Sequence, residues 1–332
     1  MVETVDIAWT KDLSIFASEP YLKNEGFRYG WVGSRAENGN LQCVLPYVLI
    51  RKYVFKLVRF TSETIYLGDK IDAAAEKCFL NGVVEHFRSS GAHAIIPPTF
   101  NSVFNAFPDN AVVAPFGSYV IDMNRSEEEL LRGLHPKHRN VIKGAQKKGV
   151  KVVVGNSHWE TAYRLVRESF MRSAGGLIGR VRVASRLDSE FFRKQVESFG
   201  EYVRIFIAEH DGVAQGCAVI PFSNHCAYYM HGGSTGSPVT GAMNLIHWEA
   251  IRQFRDMGVR RYDFFGGRVR PEPGSKIEGI MKFKERFGGR FIQGYTWKVP
   301  LEDRMYKLYS AAALLRSGGD LVDQEKHKLQ ET

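Results

Sequence analysis

Residues 202–231 hold three strand-like runs in a row, and the turns between them leave little freedom in how they pair. YVRIFIA at 202–208 leads through His210-Asp211-Gly212 into VAQGCAVIP at 213–221, and Ser223-Asn224 turns the chain into CAYYMH at 226–231. An Asp-Gly pair between β-rich runs reverses the chain within a hairpin. The runs must therefore lie antiparallel and side by side. After HGGSTGSPVTGA comes a long amphipathic helix, about 243–257 (MNLIHWEAIRQFRDM), which Gly258 closes, and then a strand, RRYDFF.

The rest of the chain alternates strands and helices in the same way. Residues 41–60 (LQCVLPYVLIRKYVFKLVRF) are β-branched and aromatic and read as strands. Ala74, Ala75, Cys78, Phe79, Val83 and Phe87 recur at helical spacing, and Gly91 stops that helix. HAIIPP and SYVIDM read as strands, which makes this region mixed α/β. Ser126 and Glu129 have the spacing of a capping box. From Leu131 to Lys151 every charged residue is basic, and Gly149 is read as the end of a basic helix before the strand VKVVV. A boundary near 145–150 is placed there, where a new α/β unit begins. Helices follow at 159–171 and 188–199, with a Gly/Arg-rich segment between them, and another amphipathic helix at 301–316. The tail DQEKHKLQET is polar and reads as frayed.

The 332 residues suffice for two domains, and the composition is that of a globular protein. A net charge of +9 favours an acidic partner such as nucleic acid, a nucleotide sugar, a coenzyme or an anionic headgroup. Cys43, Cys78, Cys217 and Cys226 form no C-x-x-C pair, and no histidine cluster has zinc-ligand spacing. A reduced, cytoplasmic chain without a metal site is the expectation. No signal peptide and no membrane-spanning run is read, so any membrane association would be peripheral.

The stretch GIMKFKERFGG at 279–289 contains one charge in the wrong place. On a helix, Ile277, Ile280, Met281, Phe283 and Phe287 fall within an arc of roughly 160°. Lys284 lies inside that arc, whereas Glu278, Lys282, Glu285 and Arg286 lie opposite. A lysine there either snorkels, pairs with a buried acid, or is a cation held in a cleft.

The order of hairpin strands, glycine-bearing loop, long helix and strand is similar to the core of the GNAT acyltransferase fold. Four stretches resemble, in order and near the same spacing, the Fem family of peptidoglycan-bridge aminoacyltransferases, in its arm-less type. They are HPKHRNVIKGAQKKGVKV, AYYMHGGSTGS followed by NLIHWEAI, RRYDFFGG, and GIMKFKERFGG; the resemblance covers about 120–300. It implies an α/β (mixed α+β) fold of two tandem GNAT-like domains. Each would have a mixed, mostly antiparallel sheet flanked by helices, with an acceptor cleft between the two. The domains would be 1–148 plus 301–332, and 149–300.

The resemblance further implies transfer of an aminoacyl group from aminoacyl-tRNA to an amine of a nucleotide- or lipid-linked cell-wall precursor. That reaction would take place in the cytoplasm, or at the inner membrane face with peripheral contact to anionic lipid. No tightly bound cofactor is implied; aminoacyl-tRNA or acyl-CoA is a co-substrate. Phe283 and Lys284 match the F-K-x-x-F motif that lines the reaction site in arm-less members. There Lys284 would stabilise negative charge in the tetrahedral intermediate and Phe283 would wall the transferred group. Tyr229 and His231 are expected on one face of their strand, because strand side chains alternate. Tyr229 would lie over the acceptor. His231 stands where an arm-less relative carries tyrosine and is open to a structural or a general-base role. Gly232 and Gly233 permit close backbone approach, and Asp263 would pair with a buried cation or orient the site. Arg139 and Lys143 are candidates for phosphate contact, the alternative being a solvated face. Arg180, Arg182 and Arg186 lie in a segment where relatives supply an arginine and a tyrosine to the acceptor's phosphates; Phe191 is the tyrosine's approximate counterpart, and in the first domain an acid that contacts the acceptor in relatives falls near Pro97.

The loop GSPVTGAMN lacks the coenzyme-binding signature Q/R-x-x-G-x-G/A. An acyl-CoA-dependent N-acyltransferase acting on an amino sugar or surface polysaccharide is the second reading. A non-catalytic RNA- or membrane-binding module is the third.

Overall fold

The computed structural model describes residues 2–68, 70–174, 187–317 and 319–326. In chain order the first elements are β1 (Val2–Val5), α1 (Glu19–Glu25), β2 (Arg28–Arg35), β3 (Leu41–Lys52), β4 (Phe55–Phe60), β5 (Ile65–Tyr66), α2 (Ala73–Ser89) and β6 (Ala94–Ile95). Then come β7 (Val112–Asp122), α3 (Glu127–Gly133), α4 (Pro136–Lys147), β8 (Lys151–Val154), α5 (Trp159–Ser173) and α6 (Ser189–Ser198). The hairpin strands are β9 (Val203–His210), β10 (Val213–Pro221), β11 (Ala227–Tyr228) and β12 (His231–Ser234). The chain closes with α7 (Ala242–Asp256), β13 (Arg261–Asp263), α8 (Lys276–Glu285), β14 (Arg290–Pro300), α9 (Asp303–Ser317) and α10 (Leu321–Glu325).

Two sheets result. The larger runs β1-β2-β3-β4-β6-β14-β7-β13-β11, with β5 paired to β3, and the smaller runs β12-β10-β9-β8. The long strands β7 and β14 pair antiparallel along most of their length and carry the larger sheet from one half of the molecule to the other. Alternation along β9 and β10 makes the smaller sheet apolar on both faces. Phe206, Ala218 and Ile220 pack under Leu245, Ile246 and Phe254 of α7. Ile205, Ile207, Cys217 and Val219 pack under Leu165 and Val166 of α5 and Phe192 of α6. A third core lies between α2 (Phe79, Val83, Phe87) and the larger sheet, around Phe60, Phe104 and Trp297.

Three local expectations change. The basic helix read over 131–151 is confined to α4, because Leu134 is extended and Pro136 restarts the helix at its first turn. The capping box at Ser126 and Glu129 is present on the short helix before it. Residues 327–332 of the tail lie outside the described residues. Its start is helical, not frayed: α10 runs into it and docks with Val322 and Glu325 buried. Its own capping box, Asp320 and Asp323, also holds the buried Lys298 ammonium, at 2.8 and 2.7 Å. Tyr306 and Tyr309 of α9 pack against Leu57, Ala94 and Ile96. Finally, the run at 226–231 is broken in two, and that break builds the site.

Candidate active site

Strand β11 pairs parallel with β13, through Ala227 opposite Tyr262 and Tyr228 opposite Asp263. The Tyr229 N–H still donates to the Asp263 carbonyl at 2.8 Å, but the next N–H, of Met230, donates to Val219 of the smaller sheet at 3.1 Å. The chain thus leaves one sheet for the other between consecutive residues. A wedge opens at Tyr229 between the departing strand and the end of β13, and among the described residues β12 is left as an edge strand with one unpaired side.

The switch corrects the expectation for Tyr229 and His231. Alternation holds only within one ladder, and the ladder changes between them. Tyr229 turns toward α7, with its ring 4.4 Å from that of His247. His231 turns toward α6, where Nε2 lies 2.8 Å from Gln195 Oε1 and the ring stacks obliquely on Phe192. Burial pulls the His231 pKa down to about 4, which suits packing rather than proton abstraction at neutral pH. Gly232 and Gly233 both occupy places that admit no side chain. A Cβ at Gly232 would fall 1.7 Å from the Tyr229 hydroxyl, and one at Gly233 would fall 2.4 Å from the Leu165 carbonyl of α5.

The base of the wedge is aromatic. His247 packs edge-on to Phe283 and Phe287 of the α8 region, and His138 of α4 packs on the same two rings. His138 Nε2 lies 3.1 Å from the Phe283 carbonyl. His247 Nδ1 meets the Tyr262 hydroxyl at 2.8 Å, its Nε2 has no partner among the described residues, and burial with the charge of Lys284 lowers its pKa to about 3.

Lys284 occupies this environment as a buried cation, 7 % exposed. Met281 and Phe287 share its buried face, whereas Ile277 and Ile280 are about two-fifths exposed, at 41 % each, so the apolar arc is narrower than its periodicity suggests. The Lys284 ammonium donates to the Gly266 carbonyl at 2.5 Å and makes no ion pair among the described residues. Burial lowers its pKa to about 8, and the nearby Asp263 carboxylate offsets part of that shift.

The acceptor for this hydrogen bond sits in unusual backbone. Phe265 has φ 58° and Gly266 φ 79°, two successive left-handed residues, and the non-glycine one stores strain of the kind found at sites. Asp263 holds the turn: its Oδ1 accepts from the Ser118 hydroxyl at 2.5 Å and from the Phe265 N–H at 2.6 Å, while Ser118 Oγ accepts from the Gly266 N–H at 3.1 Å. Burial raises the Asp263 pKa against these donors and the Lys284 charge.

Ser118 and Asp263 also line a cavity of about 430 Å³ between β7, β13 and the loops that follow β4 and β6. Glu63, Asn101, Arg261 and His225 line it too. Glu63 Oε2 has no partner among the described residues, and burial raises the carboxyl pKa to about 7. Sequence reasoning passed over Glu63, Ser118, His138 and His247. Only His247 left a signal, as a polar residue inside the apolar run NLIHWEAI.

Two of the remaining candidates, Arg139 and Lys143, lie on α4. Arg139 spends its guanidinium on the Arg132 and Leu134 carbonyls, the latter at 2.5 Å, and so caps the end of α3. Lys143 is exposed on α4. Arg180, Arg182 and Arg186 lie outside the described residues. Among the described residues no group of histidine, cysteine and acidic side chains could hold a metal ion.

Residues 136–273, which include β11 to β13 and end before Lys284, match the Acetyltransferase (GNAT) domain family. The protein is thus an acyltransferase built on the GNAT fold. More particularly, its fold is Fem-like: it superposes on the crystal structure of FemX with a TM-score of 0.66 at 14% identity, over 92% of this chain and 99% of that one. A conserved protein of unknown function from Bacteroides thetaiotaomicron superposes with a TM-score of 0.50 at 11% identity, over 86% and 90% of the two chains. No curated protein matches the chain by sequence.

Proposed function

We propose that the protein transfers an aminoacyl group from aminoacyl-tRNA to an amine of a cell-wall precursor, with domains at 1–148 plus 301–332 and at 149–300. The observation that carries this reading is the Lys284 ammonium, buried against the Gly266 carbonyl and free of any ion pair among the described residues. A cation so placed is screened little by water and acts strongly on charge that develops beside it. The free edge of β12 offers backbone groups to an extended donor, and Tyr229 and Phe283 wall the transferred group.

In the reaction, the neutral acceptor amine attacks the ester carbonyl. The carbonyl oxygen gains negative charge, which Lys284 stabilises. Collapse then expels the ribose oxygen, which takes up the proton that the amine loses. The cavity shared by Asp263 and Ser118 would receive the acceptor, with the Glu63 carboxylate facing its ammonium before attack. The cytoplasm, or its membrane face, is the setting this reaction needs. Mass spectrometry of cell-wall peptides with and without the gene tests the reading: a cross-bridge residue missing without the gene supports it, and unchanged peptides refute it.

A second reading, acyl-CoA as donor, is favoured by the match to an acetyltransferase domain. The residues before α7 speak against it, since they lack the usual phosphate-binding signature. Labelled aminoacyl-tRNA and acyl-CoA offered side by side separate the two, and turnover of acyl-CoA alone excludes the first.

A further inference from the structure

Helix α9 is apolar on two opposite faces. Tyr306 and Tyr309 point inward onto the larger sheet, and Tyr309 packs its ring 5.5 Å from Phe55, just past the β3–β4 turn. The outer face carries Leu308, Ala311, Ala312 and Leu315, all exposed, at the spacing i, i+3, i+4, i+7. Leu308 is 60 % exposed and Leu315 83 %. That spacing is the signature of a helix face that packs on something, yet among the described residues nothing covers it.

The neighbouring hairpin tip repeats the pattern: Tyr53 and Val54 at the turn are 83 % and 69 % exposed. Cations surround both features. Arg51, Lys52 and Lys56 flank the tip, and Arg304 and Lys307 flank the stripe, all exposed. The acids nearby, Glu302 and Asp303, belong to the start of the helix, where Glu302 accepts from the N–H groups of Arg304 and Met305. An apolar stripe with a basic rim is complementary to a surface that is apolar below and anionic above, which describes an anionic bilayer. A second copy of the chain would bring the same basic rim against itself.

We propose that the outer face of α9, with the β3–β4 tip beside it, docks the protein onto anionic lipid membranes. No transfer chemistry is involved, so this inference and the transferase reading fail independently. The full chain should float with vesicles of phosphatidylglycerol and phosphatidylcholine but not with phosphatidylcholine alone, and added salt should weaken the binding. Leu308→Glu/Leu315→Glu should reduce partitioning at least about tenfold with an unchanged melting temperature, since both positions are exposed. Arg304→Glu/Lys307→Glu should remove most of the salt dependence. The proposal is overturned if the wild type ignores anionic vesicles, or if the leucine variant binds them equally. It is likewise overturned if the stripe holds a dimer that the leucine variant splits while vesicle binding is absent.

Discussion

At the scale of single residues, Lys284 makes opposite demands on stability and activity. Its folded pKa, about 8, lies below the ordinary 10.5, so between those values the unfolded chain holds more protons. Stability should therefore rise as pH climbs through that window and bear the full cost of the buried charge below it. Lys284→Met should accordingly stabilise the fold at neutral pH by on the order of 2 kcal/mol, after the lost bond to Gly266 is subtracted. Urea melts at neutral pH check this, and a destabilised variant would contradict it. If the Lys284 ammonium stabilises the intermediate as proposed, the rate should fall as pH rises through about 8. Asp263→Asn, which removes the charge that supports the ammonium, should move that falling limb to lower pH. A pH–rate profile measures both. Glu63→Gln should raise KM for the acceptor more than it lowers kcat, because it touches the acceptor's charge and not the reacting carbonyl.

At the scale of elements, the site depends on where a strand changes sheets. Gly233→Ala drives a Cβ to 2.4 Å from backbone of α5, which a side-chain rotation cannot relieve, whereas Gly236 has nothing within 4 Å. The first should cost about 1–3 kcal/mol and Gly236→Ala close to nothing, as read by chemical denaturation. Equal effects would mean that the strand is not pressed against α5. Arg139→Ala should likewise lower stability by about 1–2 kcal/mol through the lost carbonyl caps, while Lys143→Ala leaves it unchanged.

These elements also show what a sequence can reveal. The capping box at Ser126, the Asp-Gly hairpin and the burial of Lys284 depend on neighbours within one turn, so spacing exposes them. The divergence at Tyr229 does not, because period-two alternation assumes that a strand stays in its ladder. Helix α10 was hidden for a related reason: five residues have little helical stability of their own, and Lys298, which anchors it, lies two elements earlier. Glu63 was illegible because only the folded chain brings it into one cavity with Asp263.

At the scale of the whole molecule, the shared sheet joins the two halves of the site. β7 and β14 run through both, so Ser118 on β7 helps hold the turn that receives Lys284 and also lines the cavity that Glu63 lines. The proposed charge stabilisation and acceptor binding would thereby share one sheet. The central claim is that acyl transfer occurs in this wedge and depends on the Lys284 ammonium. The most direct test is single-turnover transfer from labelled aminoacyl-tRNA to a peptidoglycan-precursor amine, by wild type and Lys284→Met side by side. The account predicts a fall of two to three decades in the variant, about 3 kcal/mol of lost charge stabilisation. Equal rates in the two proteins would contradict it.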